Sequence, residues 1–189
     1  MKSIFFTVCV FIIITLSACN FRKEKNNVLF IQLKMIETTL FENDSLNEIY
    51  YSPPRAYFYM TAYNQSDNSI FLPLKRNLND SLSGSYIKLI YKNKEIDFYR
   101  TSINNQNIIL PRDSIHLTIN LYLPEYIVDS NKISVISNFL KNITFEYNLT
   151  KSDTILSNLC IPDIVIFETT KVNIMFRDIA TKDACIIWL

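Results

Sequence analysis

Apolar and polar residues alternate with a period of two along most of this chain, most cleanly from Ser114 to Leu123. There Ile115, Leu117, Ile119, Leu121 and Leu123 take every second position, with His116, Thr118, Asn120 and Tyr122 between them. A helix would scatter such a set around its circumference, whereas a strand puts it on one face. Arg55 to Tyr63 repeats the pattern, with Ala56, Phe58, Met60 and Ala62 set against Tyr57, Tyr59, Thr61 and Tyr63, ahead of a polar turn through Asn64 to Asn68. Ile70 to Leu74 reads as a strand that Pro73 confines to an edge or ends. Tyr86 to Tyr91 and Ile96 to Tyr99 flank Lys92, Asn93, Lys94 and Glu95, which predicts a hairpin with a four-residue polar loop. Ile143 to Leu149 alternates again, and Asp163 to Phe167 with Val172 to Phe176 are expected as a final pair. Val28 to Ile36 opens the domain with a nearly continuous apolar run that satisfies a strand and a helix alike.

One segment has a different period. Ile133, Ile136, Phe139, Leu140 and Ile143 recur at helical spacings behind Ser130, a ready N-cap. This predicts a short amphipathic helix from 131 to 141, crossing between strands at an end of the sheets. About seven to nine antiparallel strands with one helical crossover define an all-β class and point to a sandwich. No repeat, low-complexity block or composition shift divides residues 28–189, which are enough for one core.

The first twenty residues carry the most specific pattern. Ile4 to Thr15 is apolar behind Lys2, but shorter than the roughly 20 residues a membrane-spanning helix needs. Leu16, Ser17, Ala18 and Cys19 follow. This resembles a bacterial lipoprotein signal peptide ending in a lipobox. The resemblance implies that the Cys19 sulfur receives a diacylglyceryl group and that residues 1–18 are then removed. Cys9 is discarded with them. A plain signal anchor that happens to end in cysteine is the competing reading. On the lipoprotein reading, 19–27 is a lipidated polar tether and 28–189 the folded domain. The membrane partner is met through the lipid on Cys19, since more than one acyl chain suffices for stable attachment.

Charge then narrows the partners. The chain carries 19 basic and 18 acidic residues, and removal of Lys2 with the signal leaves 18 of each. A neutral chain of mixed signs lacks the clustered positive charge that nucleic acid demands, so no nucleic-acid partner is expected. Arg22, Lys23 and Lys25, interrupted by Glu24, read as a solvated tether or a headgroup contact. No acidic run follows Cys19. Such a run resembles a surface-export signal in the Bacteroidetes, so its absence favours the periplasmic face of the outer membrane.

The strand ending in Tyr63, Asn64, Gln65 and Ser66, the apolar Ile70 to Leu74, and Leu110, Pro111, Arg112, Asp113 and Ser114 before a long alternating strand resemble immunoglobulin-like domains of small Bacteroidetes envelope lipoproteins. The resemblance covers residues 55–150, without a Cys, Trp, Cys spacing of antibody type. It implies an immunoglobulin-like antiparallel sandwich. An acidic, a hydroxyl and an apolar residue recur in order at Asp44-Ser45-Leu46, Asp80-Ser81-Leu82, Asp113-Ser114-Ile115 and Asp153-Thr154-Ile155. The triplet resembles the O-glycosylation site of envelope proteins of that group, which would make Ser45, Ser81, Ser114 and Thr154 sugar acceptors. The same triplets also suit turns and caps that lead into strands.

Candidate chemistry is sparse. Cys160 and Cys185 remain after maturation in an oxidising compartment. A bridge between them would close a loop of about 25 residues, contributing roughly 3 kcal/mol on the chain-entropy model; two free thiols are equally consistent. His116, the only histidine, excludes any site that needs two, and it lies on the wetter face of its strand. Asp178 with Asp183, and Glu42 with Asp44, sit in polar turns. The one glycine, Gly84, cannot build a phosphate loop. No metal or cofactor is expected. Two binding surfaces suggest themselves: the row Tyr57, Tyr59 and Tyr63, which is otherwise the second side of a strand, and the apolar run Ala184 to Leu189, which is either a last core strand or a docking segment. The expected function is a lipid-anchored, noncatalytic envelope module that binds or scaffolds another envelope protein. A periplasmic immunity or inhibitor lipoprotein and a carboxylate-dependent hydrolase are the alternatives.

Overall fold

The computed structural model describes residues 26–40, 54–75, 84–103, 107–128, 132–150, 153, 160–169, 172–178 and 184–187; for 40, 177, 178 and 184–187 the backbone alone is described. The signal segment, Cys19, the tether up to residue 25, Glu42, Asp44, Ser45, Ser81, Ser130, Thr154 and Asp183 lie outside this set.

The described chain is mostly β. A seven-stranded sheet has β1 (Val28–Leu40) and β2 (Arg55–Asn64) at its centre and β8 (Ser114–Tyr122) and β6 (Arg100–Ile103) to one side. To the other side are β11 (Asn173–Asp178) and β12 (Ala184–Ile187), and β10 (Ile164–Glu168) also pairs with β1. A three-stranded sheet joins β5 (Lys94–Ile96), β4 (Tyr86–Tyr91) and β9 (Thr144–Asn148), and β3 (Ile70–Phe71) pairs with β7 (Ile108–Ile109). Helix α1 (Glu125–Val128) and helix α2 (Ile133–Lys141) connect β8 of the large sheet to β9 of the small one.

The two larger sheets stack through aromatic rings. Phe58 of β2 meets Phe145 of β9 edge-on, with centroids 5.4 Å apart, and Phe145 stacks on Phe167 at 5.9 Å. Ala56, Phe58, Met60 and Ala62 are all buried, as are Ile115, Leu117, Ile119 and Leu121, so both alternating segments place their apolar sets inward as expected. Ile136, Phe139 and Leu140 of α2 close one end, where Phe139 meets Tyr91 at 4.8 Å.

The apolar run at the start of the domain is a strand, and its lost alternation has a local cause. Lys34 is a bulge: Leu33 pairs with Met60 and Met35 with Tyr59, so Lys34 has no opposite residue. Leu29, Ile31 and Leu33 point inward before it, and Ile36 and Thr38 after it. One inserted residue reverses the parity of everything that follows.

Three expectations are corrected. Asp163–Phe167 and Val172–Phe176 do not pair with each other. β10 and β11 lie in tandem along the same edge of β1, both parallel to it, and change over opposite the bulge, so the sheet is mixed rather than wholly antiparallel. The hairpin loop is two residues long, because Lys92 and Asn93 both adopt left-handed φ (49° and 62°), the geometry of a tight twisted turn. Helix α2 is capped at Lys132, with no side-chain cap bond, so its first turn begins two residues later than Ser130 would set. β6, β7 and α1 are too short for periodicity to reveal.

Candidate functional site

The outward face of the large sheet presents an unusual side-chain set. Register aligns Glu37, Tyr57, Asn120 and Arg100 across four strands, while the neighbouring row joins Arg55 to Tyr122. Tyr57, Tyr59 and Tyr63 therefore stand where the sequence puts them, opposite Phe58 and Met60, and each is half-buried.

Electrostatics divide this face into two ends. At the Arg55 end, the guanidinium lies 4.7 Å from the Tyr122 ring centre and 5.2 Å from that of Tyr99, and the two rings meet edge to face at 4.7 Å. Arg55 Nη2 donates to Tyr122 Oη at 3.0 Å. Partial burial raises the Tyr122 phenol above its ordinary value, and Arg55 draws it part of the way back. Tyr59 Oη donates to Glu37 Oε2 at 3.1 Å, which shields a carboxylate only 6% exposed. Two polar atoms here are enclosed and unpaired: Arg55 Nε and Asn120 Oδ1. Among the described residues, neither Arg55 nor Arg100 has an ion-pair partner. At the far end of β2, Lys34 Nζ sits 5.3 Å over the Tyr63 ring, and Ile164 and Ile166 of β10 are exposed.

His116 lies on this face and is exposed, its Nδ1 3.1 Å from Thr61 Oγ1. This is a contact between an exposed imidazole and a buried hydroxyl, and among the described residues no third group orients it as a nucleophilic triad requires. Among the described residues, no three His, Cys, Asp or Glu side chains cluster as metal ligands. An apolar cavity of about 270 Å³ opens where β10 gives way to β11, walled by Leu33, Ile36, Leu140 and Ile174, with Lys141 and Thr169 as its polar groups.

Other predicted residues have structural placements. Ser114 begins β8, half-buried, and its N–H donates to Asp113 Oδ1 at 2.7 Å, a turn contact at the strand entry. Asp153, from the last of the four triplets, is buried and accepts from the Ser85 N–H at 2.8 Å, from Thr150 Oγ1 at 2.9 Å and from Ser85 Oγ. That Asp works as an internal clamp, and Gly84 beside it leaves no room for a side chain, since a Cβ there would lie 2.8 Å from Thr150 Oγ1. Cys160 is exposed with a free thiol, next to Ile70. Cys185 lies on β12 opposite Phe176, and its side chain is outside the described residues. The Ala184–Ile187 segment pairs with β11 as a last strand. Asp178 ends β11, described by its backbone alone.

Periodicity alone could not find Arg55, Tyr99, Asn120 and Tyr122 as a group. Their only sequence signal is that three of them occupy outward positions of predicted strands, and 67 residues separate Arg55 from the Tyr122 it touches. A comparison of the chain with protein-family models, with curated proteins and with solved structures found no match.

Proposed function

We propose that the protein is a noncatalytic binding module of the bacterial cell envelope, with an immunoglobulin-like sandwich domain. It is held through a lipid on Cys19 at the periplasmic face of the outer membrane, and it engages another envelope protein with the outward face of its large sheet. The lipobox residues Leu16 to Cys19 support the anchor. The observation that carries the binding role is the Arg55, Tyr99 and Tyr122 cluster, an aromatic and arginine set of the composition that dominates protein-interface energetics. Aromatic rings supply contact area at small entropic cost, and the arginine adds directional hydrogen bonds.

The intact mass of the protein from its native host tests the anchor. A polypeptide beginning at Cys19 with an attached diacylglyceryl group is expected, and an unmodified chain that fractionates as soluble protein would overturn it. The same spectrum reads any sugar on Ser114 or the other three triplets and the oxidation state of Cys160 and Cys185.

A further inference from the structure

The unpaired polar atoms under the tyrosines define a more specific ligand chemistry, which rests on the reading of this face as a binding surface. Arg55 offers Nε and Nη2 along one edge of its guanidinium. One Nη2 proton is held by Tyr122 Oη, while Nε has no acceptor. That edge is the fork that receives a carboxylate with two parallel N–H···O bonds. Asn120 precedes Tyr122 by two positions on the same face of β8, and its Oδ1 lacks a donor. A ligand that satisfies both atoms carries an anionic acceptor and an N–H donor. Among the described residues, Arg55 is compensated by ring faces instead of a carboxylate, and Arg100, opposite Asn120, adds a second positive charge. Tyr99 is 46% exposed and leans on the guanidinium from the sheet edge, so an outward rotation of its ring would open the enclosed Nε to a ligand.

We propose that this corner binds an acidic residue in an extended segment of a protein partner. The Asp or Glu carboxylate sits on Arg55 Nε and Nη2, a backbone N–H of the same segment donates to Asn120 Oδ1, and Tyr57, Tyr99 and Tyr122 flank the chain. A free phosphate or a phosphatidylglycerol headgroup would supply the anion but no N–H beside it.

The test is a titration of the mature lipoprotein in detergent with acetyl-Ala-Ala-Glu-Ala-Ala-amide, following the ¹⁵N–¹H resonance of Arg55 Nε and the ring resonances of Tyr99. A saturable shift of both is expected, at least tenfold weaker with the Gln peptide, at least tenfold weaker in Arg55→Lys, and lost in Asn120→Asp, whose carboxylate repels that of the peptide. Equal shifts with the Glu and Gln peptides, or none up to the solubility limit of the peptide, would overturn the proposal on the native protein alone, whatever the variants do. A response to inorganic phosphate or to phosphatidylglycerol vesicles without a response to the peptide overturns the protein partner. Loss of peptide binding leaves the lipid anchor untouched, because the intact mass reads the anchor separately.

Discussion

The two ends of strand β2 treat buried polar groups in opposite ways. At its C-terminal end Asn64 is 2% exposed, and both atoms of its side-chain amide are in use. Nδ2 donates to the carbonyls of Asn68 at 2.7 Å and of Ile109 and Leu110 at 3.0 Å, while Oδ1 accepts from the Ser66 N–H at 2.9 Å and from Ser66 Oγ at 2.7 Å. At the N-terminal end, Arg55 Nε and, on the paired strand, Asn120 Oδ1 are enclosed without a partner among the described residues. An enclosed polar group without a partner costs about 1–3 kcal/mol, so a fold gains nothing by keeping one for stability. The Asn64 end is built as a structural knot that ties the turn after β2 to the loop before β8. The Arg55 end, among the described residues, leaves two enclosed groups unpaired, and the proposed ligand is built on them.

The contrast makes its sharpest demand at Asn64. Asn64→Ala strips partners from several buried groups at once and is expected to destabilise the fold by about 3 kcal/mol or more, read from the urea midpoint. A loss below about 1 kcal/mol would remove the distinction between the two ends.

An intermediate case is Tyr147, whose hydroxyl donates at 2.9 Å from β9 to the Pro73 carbonyl in the segment after β3. Burial pushes its phenol well above the ordinary value of 10.0, more than the Ser85 hydroxyl offsets, and Asp153 adds to the rise. The folded state thus holds the proton more tightly than the unfolded state does. Its contribution is complete below pH 10 and declines as pH rises above it, where the unfolded chain ionises first. Tyr147→Phe is expected to cost about 1 kcal/mol at neutral pH and to flatten the loss of stability in alkali. Chemical denaturation as a function of pH checks both, and an unchanged alkaline slope would count against a buried, structural Tyr147.

The smallest effect on stability belongs to Arg55. Replacing it with Met removes an unpaired donor while keeping the stem that packs on the tyrosines, so stability should stay within about 1 kcal/mol of the native protein. A fall as large as that of Asn64→Ala, measured in the same denaturant series, would make Arg55 a structural residue and cancel the comparison. Asn120→Leu offers the independent version, with the same expected neutrality.

The long strands were legible because each gathers its apolar side chains on one face. Ser114–Tyr122 and Arg55–Asn64 show the alternation that a half-buried strand imposes. The bulge at Lys34 hid the first strand's alternation, because a parity change looks like continuous apolarity until the partner strand supplies the register. The tyrosine row was readable as a face, but its chemistry was not, since the pairing of β2, β8 and β6 alone brings Tyr99 and Tyr122 to Arg55 and sets Asn120 in the next row.

The sequence by itself determined the β class, the inward and outward sides of the main strands, the balance of charge, and the sparse supply of histidine and glycine. Each of these depends on composition or on short-range periodicity. Only the tertiary structure decided that β10 and β11 run parallel to β1, that Asp153 is an internal clamp, and that one arginine rests between two tyrosines with a donor left open. Those facts depend on contacts between residues far apart in the chain, and strand register, which no local pattern encodes, sets which of them meet.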